Sequence, residues 1–157
     1  MELFLHSAIG ATPTIIEVDE TMTIRQVLEA FGSDRDGFWL EEDDEEVDVS
    51  LTLTQAHIHH RHHVHHHRCR RIEVLARHID EERQHEFAPA TTVGRVLVWT
   101  LGPEGFNIPE EQRPEYGFLS CHDGKAVPND AHIGSLTGPS TGCGVCLSLV
   151  RKHNPQG

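Results

Sequence analysis

Hydrophobic and polar positions along this chain fall into two series of short elements. Glu2–Ser7 carries Leu3 and Leu5 two residues apart and predicts a strand. Ala8–Pro13 is a turn rich in small residues, and the β-branched run Thr14–Val18 predicts a second strand pairing back on the first. Thr23 stands as a helix N-cap with Gln26 three residues on, the spacing of a capping box. Ile24, Val27, Leu28 and Phe31 follow at i, i+3, i+4 and i+7 and form one apolar helix face, closed by Gly32. Phe38-Trp39-Leu40 predicts the next strand. Val47, Val49, Leu51 and Leu53 alternate after an acidic run and predict another.

The series then repeats. Thr23-Ile24-Arg25-Gln26-Val27-Leu28 recurs 69 positions later as Thr92-Val93-Gly94-Arg95-Val96-Leu97. The same offset carries Leu3-Phe4-Leu5 onto Ile72-Glu73-Val74, and Val18 onto Phe87. Agreement at one offset across strand, strand and helix marks an internal repeat. In the second series Arg71–His78 and Arg83–Phe87 predict a hairpin, and Val93, Val96, Leu97 and Leu101 a helix face. Residues 102–114 are a Gly/Pro-rich connection, Tyr116–Cys121 a strand, and Cys146–Arg151 the closing strand. Hairpin, helix and further short strands give an α+β chain of two tandem β-grasp folds, each a mixed sheet with one helix packed across it. The units are expected at residues 1–67 and 70–157.

Charge sharpens this division. Residues 1–59 hold two basic and fourteen acidic residues, a net of −12, whereas residues 60–157 hold eleven of each. An acidic first half argues against a nucleic-acid partner, and the short basic cluster Arg61, Arg68, Arg70 and Arg71 does not reverse that. The run Glu41–Glu46 reads as a solvated loop, with a docking surface for a basic partner as the alternative. No apolar stretch approaches the roughly 20 residues of a membrane span, and the N-terminal residues do not read as a signal peptide. The expected location is the cytoplasm, with no membrane partner. There the four cysteines (Cys69, Cys121, Cys143 and Cys146) are expected as reduced thiols. Cys143-Gly-Val-Cys146 has CxxC spacing, but it leads into a strand rather than opening a helix, so it reads as sheet residues and not a redox motif.

His57–His67 places eight histidines in eleven residues. The first unit still needs a final strand there, so His62–Arg68 is expected to be its closing strand and a stiff junction to the second unit. His62, His63, His65 and His66 are the candidates for metal ligation, since imidazoles two apart on a strand share a face. The expectation is nonetheless no metal site and no cofactor. If unperturbed, these histidines turn the central region cationic near pH 5.5. The chain has no GxSxG, HExxH, Walker A or GxGxxG pattern, and it is expected not to be an enzyme.

The last residues, RKHNPQG, follow the closing strand directly. Pro155 biases Asn154 toward extended geometry, and Gly157 has no Cβ to obstruct attack at its carboxyl carbon. Two tandem β-grasp units, the junction Val64–Arg71 and this terminal glycine resemble the two-domain ubiquitin-like modifiers, the bacterial Bil-type antiphage group in particular. That resemblance implies activation of Gly157 by an ATP-dependent ubiquitin-activating-like enzyme and transfer through a ubiquitin-conjugating-like enzyme. It further implies removal by a JAB-type deconjugating protease and attachment to target proteins, phage structural protein among them. Arg151, Lys152, Pro155 and Gln156 would present the tail. The ending is Gln-Gly rather than Gly-Gly, and any precursor residues past Gly157 would have to be trimmed before activation. A sulfur carrier, a histidine-rich metal-binding protein and a non-conjugated scaffold are the competing readings.

Overall fold

The computed structural model describes residues 1–8, 12–138 and 142–152. The first sheet contains β1 (Glu2–His6), β2 (Thr14–Glu17), β3 (Gly37–Leu40) and β4 (His63–His67), and carries helix α1 (Ile24–Phe31). Its order is β2-β1-β4-β3, with the central pair β1–β4 parallel and both flanking pairs antiparallel. The second sheet contains β5 (Ile72–His78), β6 (Glu81–Phe87), β7 (Tyr116–Ser120) and β8 (Gly144–Arg151), with helix α2 (Val93–Leu101). Its order β6-β5-β8-β7 and its pairing senses repeat those of the first. First and last strands lying parallel at the centre, with a helix in the connection between them, make each unit a β-grasp. The tract His57–His67 does supply the closing strand of the first unit.

The helix repeat has a physical basis. Thr23 accepts from the Gln26 backbone N–H at 3.2 Å, and the Gln26 side chain accepts from the Thr23 N–H at 2.9 Å, which completes the capping box. Thr92 caps α2 through the Arg95 N–H without the reciprocal bond, because arginine has no acceptor to return. Ile24, Val27 and Leu28 are buried in one core, and Val93, Val96 and Leu97 in the other. Phe31, expected on the buried face, is 41% exposed where the helix ends.

Beyond the helices the repeat continues at a shift of 80. Phe38 and Phe118 accept from the N–H groups of Val47 and Val127. Carbonyls of Leu51 and Val49 take the N–H groups of Ile24 and Arg25, as those of Ala131 and Asn129 take the N–H groups of Val93 and Gly94. The strand expected over Val47–Leu53 is therefore not formed. That segment is bends and turns whose carbonyls satisfy the first N–H groups of the helix, which have no intrahelical partner. Leu53 and Ile133 then plug the two cores in equivalent places, both fully buried. The second unit's added length lies in residues 102–115, which end in the 3₁₀ helix Glu110–Glu115.

The cysteines correct the expectation of free thiols. Cys69 is bonded to Cys143 and Cys121 to Cys146, leaving no free cysteine. The topology brings them together: Cys69 begins the second unit beside the loop entering β8, and Cys121 follows the antiparallel neighbour of β8. The first bond spans 74 residues and ties the junction to the far end of the second unit.

A third buried cluster joins the units. Trp39 is 1% exposed and packs with Ala88 and Ala90, which follow β6. Period-two geometry explains it: Phe38 enters the first core, so Trp39 points to the opposite face of the sheet, where the second unit lies. Gly37 accommodates the close approach, since a Cβ there would sit 2.4 Å from the Trp39 ring and 2.5 Å from the Arg70 guanidinium.

Trp39→Ala is expected to lower stability by about 3–5 kcal/mol, read by urea denaturation. An unchanged midpoint would show that the cluster does not couple the units. Replacing Cys69 and Cys143 together by serine is expected to cost about 2–4 kcal/mol. Thiol titration of the native protein should find no reactive cysteine, and four would show that neither bond forms.

Candidate functional site

Two places on this scaffold gather chemistry. The first is the end of β8. Arg151 closes that strand opposite Tyr116, and its Nε and Nη2 both donate to Glu115 Oε2, at 3.1 and 2.8 Å. The guanidinium also lies over the Tyr116 ring, 5.7 Å from its centroid. Lys152 donates its backbone N–H to the Glu115 carbonyl at 2.6 Å, and its side chain runs along Gly117, where a Cβ would meet Cε at 2.9 Å. The C-terminal segment is thus held to β7 as far as Lys152. A groove lined by Gly117, Leu119, Ala126, Val127 and Lys152 adjoins that point. Pro155, Gln156 and Gly157 lie outside the described residues.

The second is the seam between the units, and it uses the acidic run. Glu42 accepts from the Thr92 hydroxyl at 2.7 Å at the N-terminus of α2, and its carbonyl accepts from Arg95. Asp44 pairs with Arg71 at 2.9 Å, and Glu46 pairs with Arg70. Glu41–Glu46 are exposed turns and bends, as the solvated-loop reading expects, and several of them also pair with this chain's own second unit. A carboxylate beside the α2 N-terminus also meets the positive end of the helix dipole.

At the junction itself His67 is 2% exposed. Its Nε2–H donates to the Gly134 carbonyl at 3.0 Å and to the Thr137 hydroxyl at 2.9 Å, while Nδ1 accepts from the Cys69 N–H at 2.9 Å. Burial lowers its pKa despite the carbonyl contact. Gly134 permits this seam, because a Cβ there would lie 2.9 Å from the Pro89 carbonyl oxygen and 3.0 Å from the His67 ring.

Next to it the outer face of the first sheet assembles an imidazole cluster. His6 ends β1 directly opposite His65 in the parallel pair, and the two rings stack at 4.3 Å. His63, two residues before His65 on the same face, places Nδ1 2.8 Å from His6 Nε2. His132 enters from the second unit, with its ring 4.5 Å from that of His65. Glu41, just past β3, accepts from Nε2–H of His65 at 3.2 Å and of His132 at 2.5 Å.

Burial first, and then the facing His65 and His132 rings, push the His6 pKa down to about 4 against the pull of Glu41. Burial likewise lowers His65, outweighing its bond to Glu41. For Glu41 burial alone would raise the pKa, yet the hydrogen bonds from His132 and His65 hold it well below the usual carboxylate range. Lowered pKa values for His6 and His65 thus stand beside a carboxyl that stays ionised, and His6 does not join a cationic change at pH 5.5. Among the described residues no buried side-chain polar atom lacks a partner.

Of the four histidines singled out in the sequence, His63 and His65 reach this cluster. His66 faces the other way and pairs with Asp36 at 2.6 Å, and His62 accepts the His59 N–H in a turn. His6, His132 and Glu41 were missed. His6 left a trace in the sequence as the outward position at the end of a strand whose parallel partner is the histidine tract, and Glu41 only as the first residue of the acidic run.

Among the described residues no helix is long and apolar enough to cross a membrane. No curated protein matches the chain. Among solved structures it is similar to a Caldiarchaeum subterraneum ubiquitin, at 16% identity and a TM-score of 0.41 over 54% of this chain and 98% of that one. The family model for BilA ubiquitin-like domain 2 matches residues 73–152, from β5 through Lys152, where the β-grasp topology and the pinned end of β8 are found. With half of its length so matched, the chain belongs to the BilA ubiquitin-like family.

Proposed function

We propose that this ubiquitin-like protein is a modifier joined to other proteins through the carboxylate of Gly157. The observation that carries the reading is the end of β8. A central strand of a β-grasp delivers the backbone to its edge, Glu115 fixes it at Lys152, and only five residues remain to the glycine. The chemistry asks little else of the modifier. A Gly157 carboxylate oxygen attacks the α-phosphorus of ATP and releases pyrophosphate. The acyl carbon of the adenylate is then attacked by an enzyme thiolate, with AMP leaving, and the resulting thioester passes to an amine with release of the thiol. A glycine acyl group leaves both attack paths open.

On this reading the partners are a ubiquitin-activating-like enzyme, a ubiquitin-conjugating-like enzyme and a JAB-type protease that reverses the linkage. The acceptors are target proteins, phage structural protein among them, in bacterial antiphage defence. The first unit (residues 1–67) rides with the second (residues 70–157) as one recognition body. Arg151 has a smaller part than tail presentation requires: its guanidinium holds Glu115, so it anchors the tail's root, and Lys152 lies beside the exit.

Gly157→Val, and deletion of Gly157, are expected to abolish thioester formation with the cognate activating enzyme and ATP on a non-reducing gel, with the Tm unchanged. Equal thioester from the deletion would overturn the proposal. A thiocarboxylate mass on the wild-type chain, without conjugates, would instead identify a sulfur carrier.

A further inference from the structure

The imidazole cluster at the seam is built like a metal site, and its members come from both units. His6 belongs to β1, His63 and His65 to β4, Glu41 to the turn after β3, and His132 to the residue before the 3₁₀ helix Ile133–Leu136. One donor atom from each of His6, His65 and His132 lies within 4.8 Å of the others, and the same holds for His6, Glu41 and His63. A tetrahedral ion with bonds of about 2.0–2.1 Å needs donor spacings of roughly 3.3 Å. Two spacings are already near or below that value: 3.2 Å from Glu41 to His65, and 2.8 Å from His6 to His63.

The donors are also held as ligands need to be. His65 is 4% exposed and fixed in the strand ladder between β1 and β3. His132 is 16% exposed, and its residue bridges to Thr92 at the cap of α2. His63 and Glu41 are 43% and 39% exposed and give an ion a way in. A small cavity lined by His6, His65, His132, Pro89 and Ser135 adjoins the rings.

We propose that His6, His65 and His132, completed by Glu41 or His63, bind one borderline divalent transition-metal ion of the zinc type and so clamp the two β-grasp units together. Three imidazoles and a carboxylate select zinc, cobalt, nickel or copper over magnesium or calcium, which prefer all-oxygen shells. The alternative is a hydrogen-bonded seam that needs no ion. The site is distinct from the surface histidines His59, His60 and His62, which lie in the turns before β4. It does not depend on conjugation, so failure of the modifier reading would leave it standing.

The test uses the full chain, stripped by chelator and dialysed. Titration with Zn²⁺ should show one tight ion per chain and a rise in Tm, because a ligand held only by the folded state stabilises it. Co²⁺ should give the intense visible absorption of four-coordinate cobalt. His6→Gln and His132→Gln should each weaken binding by at least roughly tenfold to 100-fold, the range lost even with outer-shell partners. A triple His59→Gln, His60→Gln, His62→Gln variant should bind as the wild type does. Binding kept in His132→Gln and lost in the triple variant would place the ion on the surface tract and overturn the proposal. So would an absence of tight binding and of the cobalt signature in the wild-type chain, a measurement independent of how the variants fold.

Discussion

The structure depends on a surface that a β-grasp unit standing alone would leave to water. The outer face of the first sheet carries Trp39, His65 and His67, and each is almost wholly buried because the second unit lies on it. Once Phe38 and Val64 point into the first core, the alternation of strands forces Trp39, His65 and His67 outward. A buried tryptophan brings apolar area, and a buried imidazole brings polar atoms that must be satisfied. The second unit supplies both needs, with Ala88 and Ala90 for the ring of Trp39 and Gly134 and Thr137 for His67.

That constraint accounts for the unequal legibility of the sequence. The helices were readable because Ile24, Val27 and Leu28 differ sharply from their neighbours in hydropathy and have counterparts 69 residues on. The closing strand β4 was readable by elimination. Its two faces were not, since in His63-Val64-His65-His66-His67 only Val64 shows which side is the core. The hydropathy of Val47–Leu53 alternates as a strand does, but the carbonyls of this segment are spent on the α1 N-terminus, and periodicity cannot register that competition. The cysteine pairing was beyond spacing alone, because it follows from which loops flank β8.

The cluster at the seam was hidden for a related reason. His6, Glu41 and His132 are far apart in the chain, and nothing in the neighbours of His6 or His132, or in the acidic run that Glu41 opens, points to the other two. The parallel β1–β4 pairing sets His6 against His65, and the docking of the second unit brings His132 to both. Neither relation exists within a single element, so no window of sequence contains it.

The distribution of charge follows from the same seam. The first fifty-nine residues carry the whole net charge of the chain. Yet Glu41, Glu42, Asp44 and Glu46 face His132, Thr92, Arg95, Arg71 and Arg70, so part of that charge is spent inside the molecule. Exposed pairs of this kind are worth little singly, about 0–1 kcal/mol. Their effect here is geometric: spread along one loop, they fix the direction in which the second unit docks, while Trp39 and His67 supply the buried contacts. Arg151 is used in the same way, bound to Glu115 at the root of the tail. The backbone that leaves the second unit is therefore aligned by β8 as far as Lys152. On the modifier reading proposed above, a partner would meet the shape of the second unit beside that exit and an arginine already paired with Glu115.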